Sequence, residues 1–120
     1  MRLVRPEQFG RPSPLLQAMQ VIDTNDMAGF FSVLAGTERS QAASMVLGPD
    51  QSTGGPQNAH PRSDQWLYVI DGTGTATVDG DEYELTPGVL VCIEAGETHE
   101  ITAGADAALE TINVYAPPEY

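Results

Sequence analysis

The chain has 120 residues, 41% hydrophobic and 18% charged, a length that suits one independently folding domain. Its longest apolar run, Val89-Leu90-Val91-Cys92-Ile93, is far short of the ~20 residues that a membrane-spanning helix needs. The net charge is −12, and residues 63–120 contain 12 acids and neither Lys nor Arg, which argues against nucleic acid and anionic membrane as partners.

Residues 1–28 contain Pro6, Pro12 and Pro14 and one short helix-compatible stretch, Leu15–Met19. This segment is expected to be an arm that packs on the rest of the domain or on a partner subunit, with residues 29–120 forming the domain proper. The N-terminal arginines precede no apolar stretch, so no secretory signal is expected. Cys92 is the only cysteine, which excludes an internal disulfide and makes a reducing, cytoplasmic location the expectation.

Phe30–Ala35 and Gln41–Leu47 are rich in strand formers and predict two strands. Residues 48–64 are dense in Gly, Pro, Ser, Asn and Asp and predict a long polar loop, the kind of segment that often carries function. Beyond it glycines recur at 72, 80, 88, 96 and 104, mostly in turn pairs such as Asp71-Gly72 and Asp79-Gly80. Between these turns lie Trp66–Ile70, Thr73–Val78, Glu82–Leu85, Val89–Ile93, Thr98–Thr102 and Ala108–Val114. Short strands at this spacing predict an all-β sandwich or barrel. A β-solenoid fits less well, because only the glycines repeat and the residues between them are dissimilar.

The chain has two histidines, His60 in the long loop and His99 at the start of a strand. In an extended segment Asn58 and His60 share a face, and Gln65 opens the next strand. If the sheet closes on itself, Asn58, His60, Gln65 and His99 converge in its mouth. Imidazole nitrogens suit Zn, Fe, Ni and Cu, and amide oxygens can complete the shell.

At these residues the sequence resembles the cupin superfamily, over roughly residues 52–115. Asn58-Ala59-His60, four residues, Gln65, six residues and Gly72 follow the spacing of the first cupin motif. Gly88, five residues, Glu94-Ala95-Gly96, two residues and His99 follow that of the second. The resemblance implies a double-stranded β-helix, a jelly-roll-like barrel, behind the N-terminal arm. It also implies a homodimer, a small-molecule ligand or substrate, and a mononuclear divalent transition metal such as Fe, Zn, Ni or Mn.

Where the pattern has its first histidine this chain has Asn58, and where it has glutamate the chain has Gln65. Glu94 and Ala103 replace the proline and asparagine of the second motif. The expected ligands are therefore His60, His99, Gln65 and Asn58, a set without an anionic member. Losing the carboxylate removes several kcal/mol of direct Coulomb attraction in a poorly solvated site, so affinity should fall. Asp64 could substitute for Gln65 only if a bulge reversed the strand's facing.

Three functions fit this set. The first is a metal-dependent enzyme of the dioxygenase, decarboxylase or isomerase type that the resemblance implies. The second is a non-catalytic small-molecule-binding module. The third is a metal-free isomerase or epimerase, which needs a histidine base polarised by a carboxylate, with Glu97, Glu100 and Tyr83 as candidates by composition. With Gln65 inward, Trp66 and Tyr68 should face outward, towards an arm or a second subunit. Cys92, inside an apolar run, is expected to be a buried small hydrophobe and not a nucleophile.

Overall fold

A computed structural model describes residues 19–27, 29–55 and 57–120. All but Met19 of the helix-compatible stretch Leu15–Met19, and most of the arm, lie outside the described residues. Within them the chain forms a short 3-10 turn, Thr24–Asp26, and eight strands. These are β1 Phe31–Gly36, β2 Gln41–Leu47, β3 Asp64–Asp71, β4 Gly74–Val78, β5 Asp81–Leu85, β6 Leu90–Ile93, β7 His99–Ala103 and β8 Leu109–Ala116. Each predicted strand is present, with ends displaced by one or two residues and β3 extended back to Asp64.

The strands pair antiparallel into two sheets, β1-β2-β8-β3-β6 and β5-β4-β7, the architecture of a double-stranded β-helix. This arrangement excludes the solenoid. The glycine turns account for the regular spacing, since Gly72, Gly80, Gly88 and Gly96 all have φ between +84° and +95°. Only glycine adopts that region without a steric penalty. Asp79-Gly80 closes the β4–β5 hairpin between the paired residues Val78 and Asp81, with Asp79 also left-handed.

Alternation along the strands sorts side chains between interior and surface. On β3, Gln65, Leu67 and Val69 point inward while Trp66 and Tyr68 face out, as the sequence predicts. On β8 the inward set is Leu109, Thr111, Asn113 and Tyr115. The interior is graded along its axis. Leu47, Val69, Leu85 and Leu109 fill one end, and each fully buried aliphatic side chain contributes roughly 1.5–3 kcal/mol. At the other end Gln41 and Gln65 flank Tyr115 across three neighbouring strands, and the interior becomes polar. Among the described residues no helix is long and apolar enough to cross a membrane.

Cys92 departs from expectation. It pairs with Trp66 on the outward face of β6 and is exposed. Partial burial, together with the carboxylates of Asp64, Glu94 and Glu97, pushes its thiol above the ordinary value and suppresses the reactive thiolate. Alkylation of Cys92 by iodoacetamide should therefore be slow at neutral pH, with a pH–rate inflection above that of a free cysteine. High salt should speed it by screening the acids.

Gly72 packs so closely on β8 that a Cβ there would collide with the Ala108 carbonyl and the Leu109 backbone, whereas Gly80 has open space. Gly80→Ala should cost about 1–2 kcal/mol, the penalty of a left-handed backbone. Gly72→Ala should cost at least ~3 kcal/mol, because the backbone must also shift. Urea denaturation of the two variants measures the difference.

Candidate functional site

The two histidines meet because the long loop is stitched to β7. That strand is an edge of the three-stranded sheet, so its outer backbone groups are free to pair. Thr53 N donates to Ile101 O at 3.0 Å and Ala103 N to Gln51 O at 2.9 Å. Further along, His99 N donates to Asn58 O at 2.7 Å and Gly96 N to His60 O at 2.8 Å. The loop thus runs as an irregular extra strand, delivering His60 beside His99 with ring centroids 4.9 Å apart. Both histidines are buried, as is Gln65 on β3. Asn58 lines the same cavity from its exposed rim. The four residues singled out in the sequence therefore surround one space.

A buried hydrogen-bond relay fixes which end of the Gln65 amide faces that space. Thr111 Oγ1 lies 3.1 Å from Met45 O, and a backbone carbonyl can only accept, so the hydroxyl donates its single proton there. The same oxygen must then accept from Asn113, whose Nδ2 is at 3.0 Å. Asn113 Oδ1 consequently accepts from Gln65 Nε2 at 2.9 Å. Gln65 Oε1 is left to face His60 Nε2 at 3.1 Å. A carbonyl on β2 thus determines that an oxygen, not an NH2 group, enters the cavity.

The imidazoles are oriented by the same logic. His99 Nδ1 lies 3.4 Å from Glu97 O, an obligate acceptor, so Nδ1 carries the proton and Nε2 keeps its lone pair. Burial, ahead of the other contributions, lowers the pKa of His99, and His60 adds to this; the Glu97 contact opposes it only in part. Neutral His99 is therefore the form at neutral pH. His60 Nδ1 faces Glu119 Oε2 at 3.3 Å. A proton on that nitrogen meets a carboxylate, whereas a bare nitrogen would set its lone pair against negative charge. Gln65 Oε1 can only accept, so Nε2 of His60 carries the proton of their 3.1 Å hydrogen bond. Of the two rings, only His99 keeps a free Nε2 lone pair towards the cavity.

The cavity has a volume of about 270 Å³. Phe31, Tyr115 and Tyr120 line one wall as a continuous aromatic cluster, with Phe31 and Tyr120 centroids 4.8 Å apart and Tyr115 and Tyr120 5.2 Å apart. Thr53 and Ile101 contribute elsewhere. Burial pushes the hydroxyls of Tyr115 and Tyr120 above the ordinary tyrosine range; their mutual hydrogen bond raises Tyr115 further and partly opposes the rise of Tyr120, and the Glu119 charge adds to both, so both stay protonated.

Several candidates do not reach the site. Glu97 Oε1 accepts from Glu94 N, and Glu100 Oε2 accepts from the Ser52 hydroxyl. Tyr83 is half exposed on edge strand β5. Asp64 faces out and accepts from Ala95 N, so it does not replace Gln65. The carboxylate at a histidine is instead Glu119, which the sequence analysis missed along with Thr111, Asn113, Tyr115 and Tyr120. The signal for three of these was present, because Thr111, Asn113 and Tyr115 stand at i+2, i+4 and i+6 from Leu109.

If the relay is structural as well as orienting, Thr111→Val should leave Asn113 Nδ2 buried without an acceptor and cost about 1–3 kcal/mol. Thr111→Ser, which keeps the hydroxyl, should lose less. Urea unfolding midpoints of the two variants make the comparison.

No curated protein matches this sequence, but solved structures do. A protein from Bacillus halodurans superposes with a TM-score of 0.78 at 23% identity, over 91% of this chain and 85% of the other. KdgF from Halomonas superposes at 0.67 with 23% identity, over 73% and 77%. A predicted oxalate decarboxylase from Thermotoga maritima gives 0.66 at 22% identity, over 73% and 79%. At these identities the likeness is one of fold. The family model for the cupin domain matches residues 43–115, well over half of the sequence and the span that contains both histidines and the relay. This chain belongs to the cupin family.

Proposed function

We propose that the chain holds a divalent transition metal on His60, His99 and Gln65, with Asn58 as the outermost donor, and binds a small molecule in the adjoining cavity. The observation that carries this reading is the meeting of two imidazoles and two amides around one cavity. Metal-ligating histidines usually donate their other ring N–H to a carboxylate or a backbone carbonyl, and Glu119 and Glu97 O occupy those two places. The relay from Met45 O turns the oxygen of Gln65, its only ligating atom, in the same direction. Two imidazoles and amide oxygens suit Zn, Fe, Ni or Mn more than the hard oxygen-seeking cations.

Among the described residues no third His, Cys, Asp or Glu joins the two histidines. A neutral donor set fits such an ion with reduced affinity. Bound there, the ion would supply Lewis acidity or an open coordination position. The chain's own residues would hold the ligand: aromatic faces of Phe31 and Tyr120 pack against it, and the Tyr120 hydroxyl, which accepts from Tyr115, donates to its polar atoms. If the site catalyses, decarboxylation and isomerisation are candidate reactions, the former being what the Thermotoga protein is predicted to do.

One observation favours a second, metal-free reading. Glu119 lies beside His60, and the rings of Tyr115 and Tyr120 pack edge-on against the same imidazole, an arrangement of histidine, carboxylate and phenols suited to proton transfer. Here a proton in place of a metal occupies the position between His60 and Gln65.

Metal analysis of protein prepared without a histidine tag, followed by calorimetric titration with Zn, Ni, Mn and anaerobic Fe(II), separates the two. The metal reading expects one ion per chain, lost in His99→Ala. Gln65→Glu, which restores an anionic donor, should tighten binding about tenfold or more, equivalent to ~1.4 kcal/mol per factor of ten. No uptake of any of these ions by the native sequence would leave the metal-free reading.

A further inference from the structure

The polar atoms that line a cavity fix what a ligand must bring, because each one left unpaired on binding costs affinity. Here both ends of the Gln65 amide are already spent, on Asn113 Oδ1 and on His60 Nε2. His99 is 3% exposed, and its Nδ1 proton goes to Glu97 O. Among the described residues its Nε2 has no hydrogen-bond partner. On the neutral ring that nitrogen is an acceptor, which only a donor satisfies. The Tyr120 hydroxyl accepts from Tyr115, so its own proton is free to be donated. His99 and Tyr120 line the same cavity, which therefore offers one acceptor and one donor.

The aromatic wall is in place before a ligand arrives. Tyr120 is held through its backbone by Gln41, a buried residue at the start of β2. Gln41 Oε1 accepts from Tyr120 N at 2.9 Å and from Glu119 N at 3.2 Å, and its Nε2 donates to Tyr120 O at 2.8 Å. The Tyr120 ring then packs on both Phe31 and Tyr115. A preformed wall of this kind lowers the entropy cost of binding a flat ring. The volume, about 270 Å³, lies at the small end of ligand pockets.

Charge is the remaining filter. Among the described residues neither Lys nor Arg lines the cavity, so an anion would be buried without a counter-charge. A carboxylate or phosphate would also set its lone pairs against Nε2 of His99. No Asp or Glu lines the cavity among the described residues either, and Glu119 sits behind the His60 ring. An ammonium group would therefore meet a similar cost.

We propose that the cavity takes an uncharged hydroxylated aromatic compound. Its O–H donates to Nε2 of His99, its oxygen atoms are the acceptors for Tyr120, and its ring packs on the aromatic wall. This rests on the metal-free reading above and names the ligand class for it. A hydroxyl meets both demands of the cavity, because it donates and accepts at one atom without carrying charge.

The test uses the purified chain, with its metal content measured first, and four small probes: phenol, toluene, benzoate and benzylamine. Ligand-detected NMR titration at neutral pH gives the affinity of each. Phenol should bind about five- to tenfold more tightly than toluene, which lacks the donor. Benzoate and protonated benzylamine should each bind about tenfold or more weakly than phenol, since either would be buried without a counter-charge. His99→Phe, which keeps a flat ring, should abolish the difference between phenol and toluene. A long-range proton–nitrogen spectrum of the native chain gives a readout that needs no variant. The Nε2 resonance of His99 should move on adding phenol and much less on adding toluene.

Charged probes that bind as tightly as phenol would overturn the proposal and leave small-molecule binding in the cavity standing. A phenol–toluene difference that survives in folded His99→Phe, or an Nε2 resonance that phenol leaves unmoved, would do the same. Binding of none of the four probes would also overturn it. An ion already held at His99 in the purified chain would remove the metal-free reading and the proposal with it.

Discussion

The site depends on the fact that a backbone carbonyl can accept a hydrogen bond but never donate one. Met45 O and Glu97 O are fixed points of polarity, and each buried group in contact with them has its orientation imposed. From Met45 the constraint passes through Thr111 and Asn113 to Gln65, crossing three strands without a choice at any step. From Glu97 it passes directly to His99. A buried donor or acceptor left unpaired costs about 1–3 kcal/mol, so reversing one member would be resisted by all the others. The result is a chain of paired groups that ends with Gln65 Oε1 accepting from His60 Nε2.

The barrel makes this arrangement affordable by separating its tasks along the axis. The apolar end, built on Leu47, Val69, Leu85 and Leu109, supplies hydrophobic stabilisation. The opposite end can then carry Gln41, Gln65, His60 and His99 in buried positions, each with partners. The long loop belongs to this polar end. Its pairing with the free edge of β7 gives an irregular segment the positional accuracy of a strand, which a histidine delivered from a loop would otherwise lack.

Charge is distributed unusually around the site. The acidic excess of the second half of the chain is mostly solvent-facing, and it raises the Cys92 thiol pKa on the outer face. Within the cavity the donors contributed by the motif positions are neutral, and the nearest carboxylate stands behind His60. Beside them the aromatic wall of Phe31, Tyr115 and Tyr120 presents flat faces and protonated hydroxyls. A ligand seated there meets hydrogen-bond donors and apolar surface, and among the described residues no Lys or Arg lines the cavity.

Much of the fold was legible in the chain itself, because its determinants are local. Glycine recurring every eight residues marks turns by conformational necessity, and alternation within each run sets the inward face, which gave all eight strands and placed Gln65 inside and Trp66 and Tyr68 outside. The spacing of His60, Gln65 and His99 was likewise visible. Cys92 was misjudged because an apolar run of five does not reveal its own register; pairing with Trp66 on the outer face of β3 decides that. Glu119, Asn113 and Thr111 were missed for a related reason. Their roles are defined by partners 48 to 66 residues away in sequence, or, for Glu119, 59 away. Sequence determined which residues could turn, alternate and ligate. Only the closed barrel, by bringing distant carbonyls and carboxylates to particular atoms, decided which way each amide and imidazole faces.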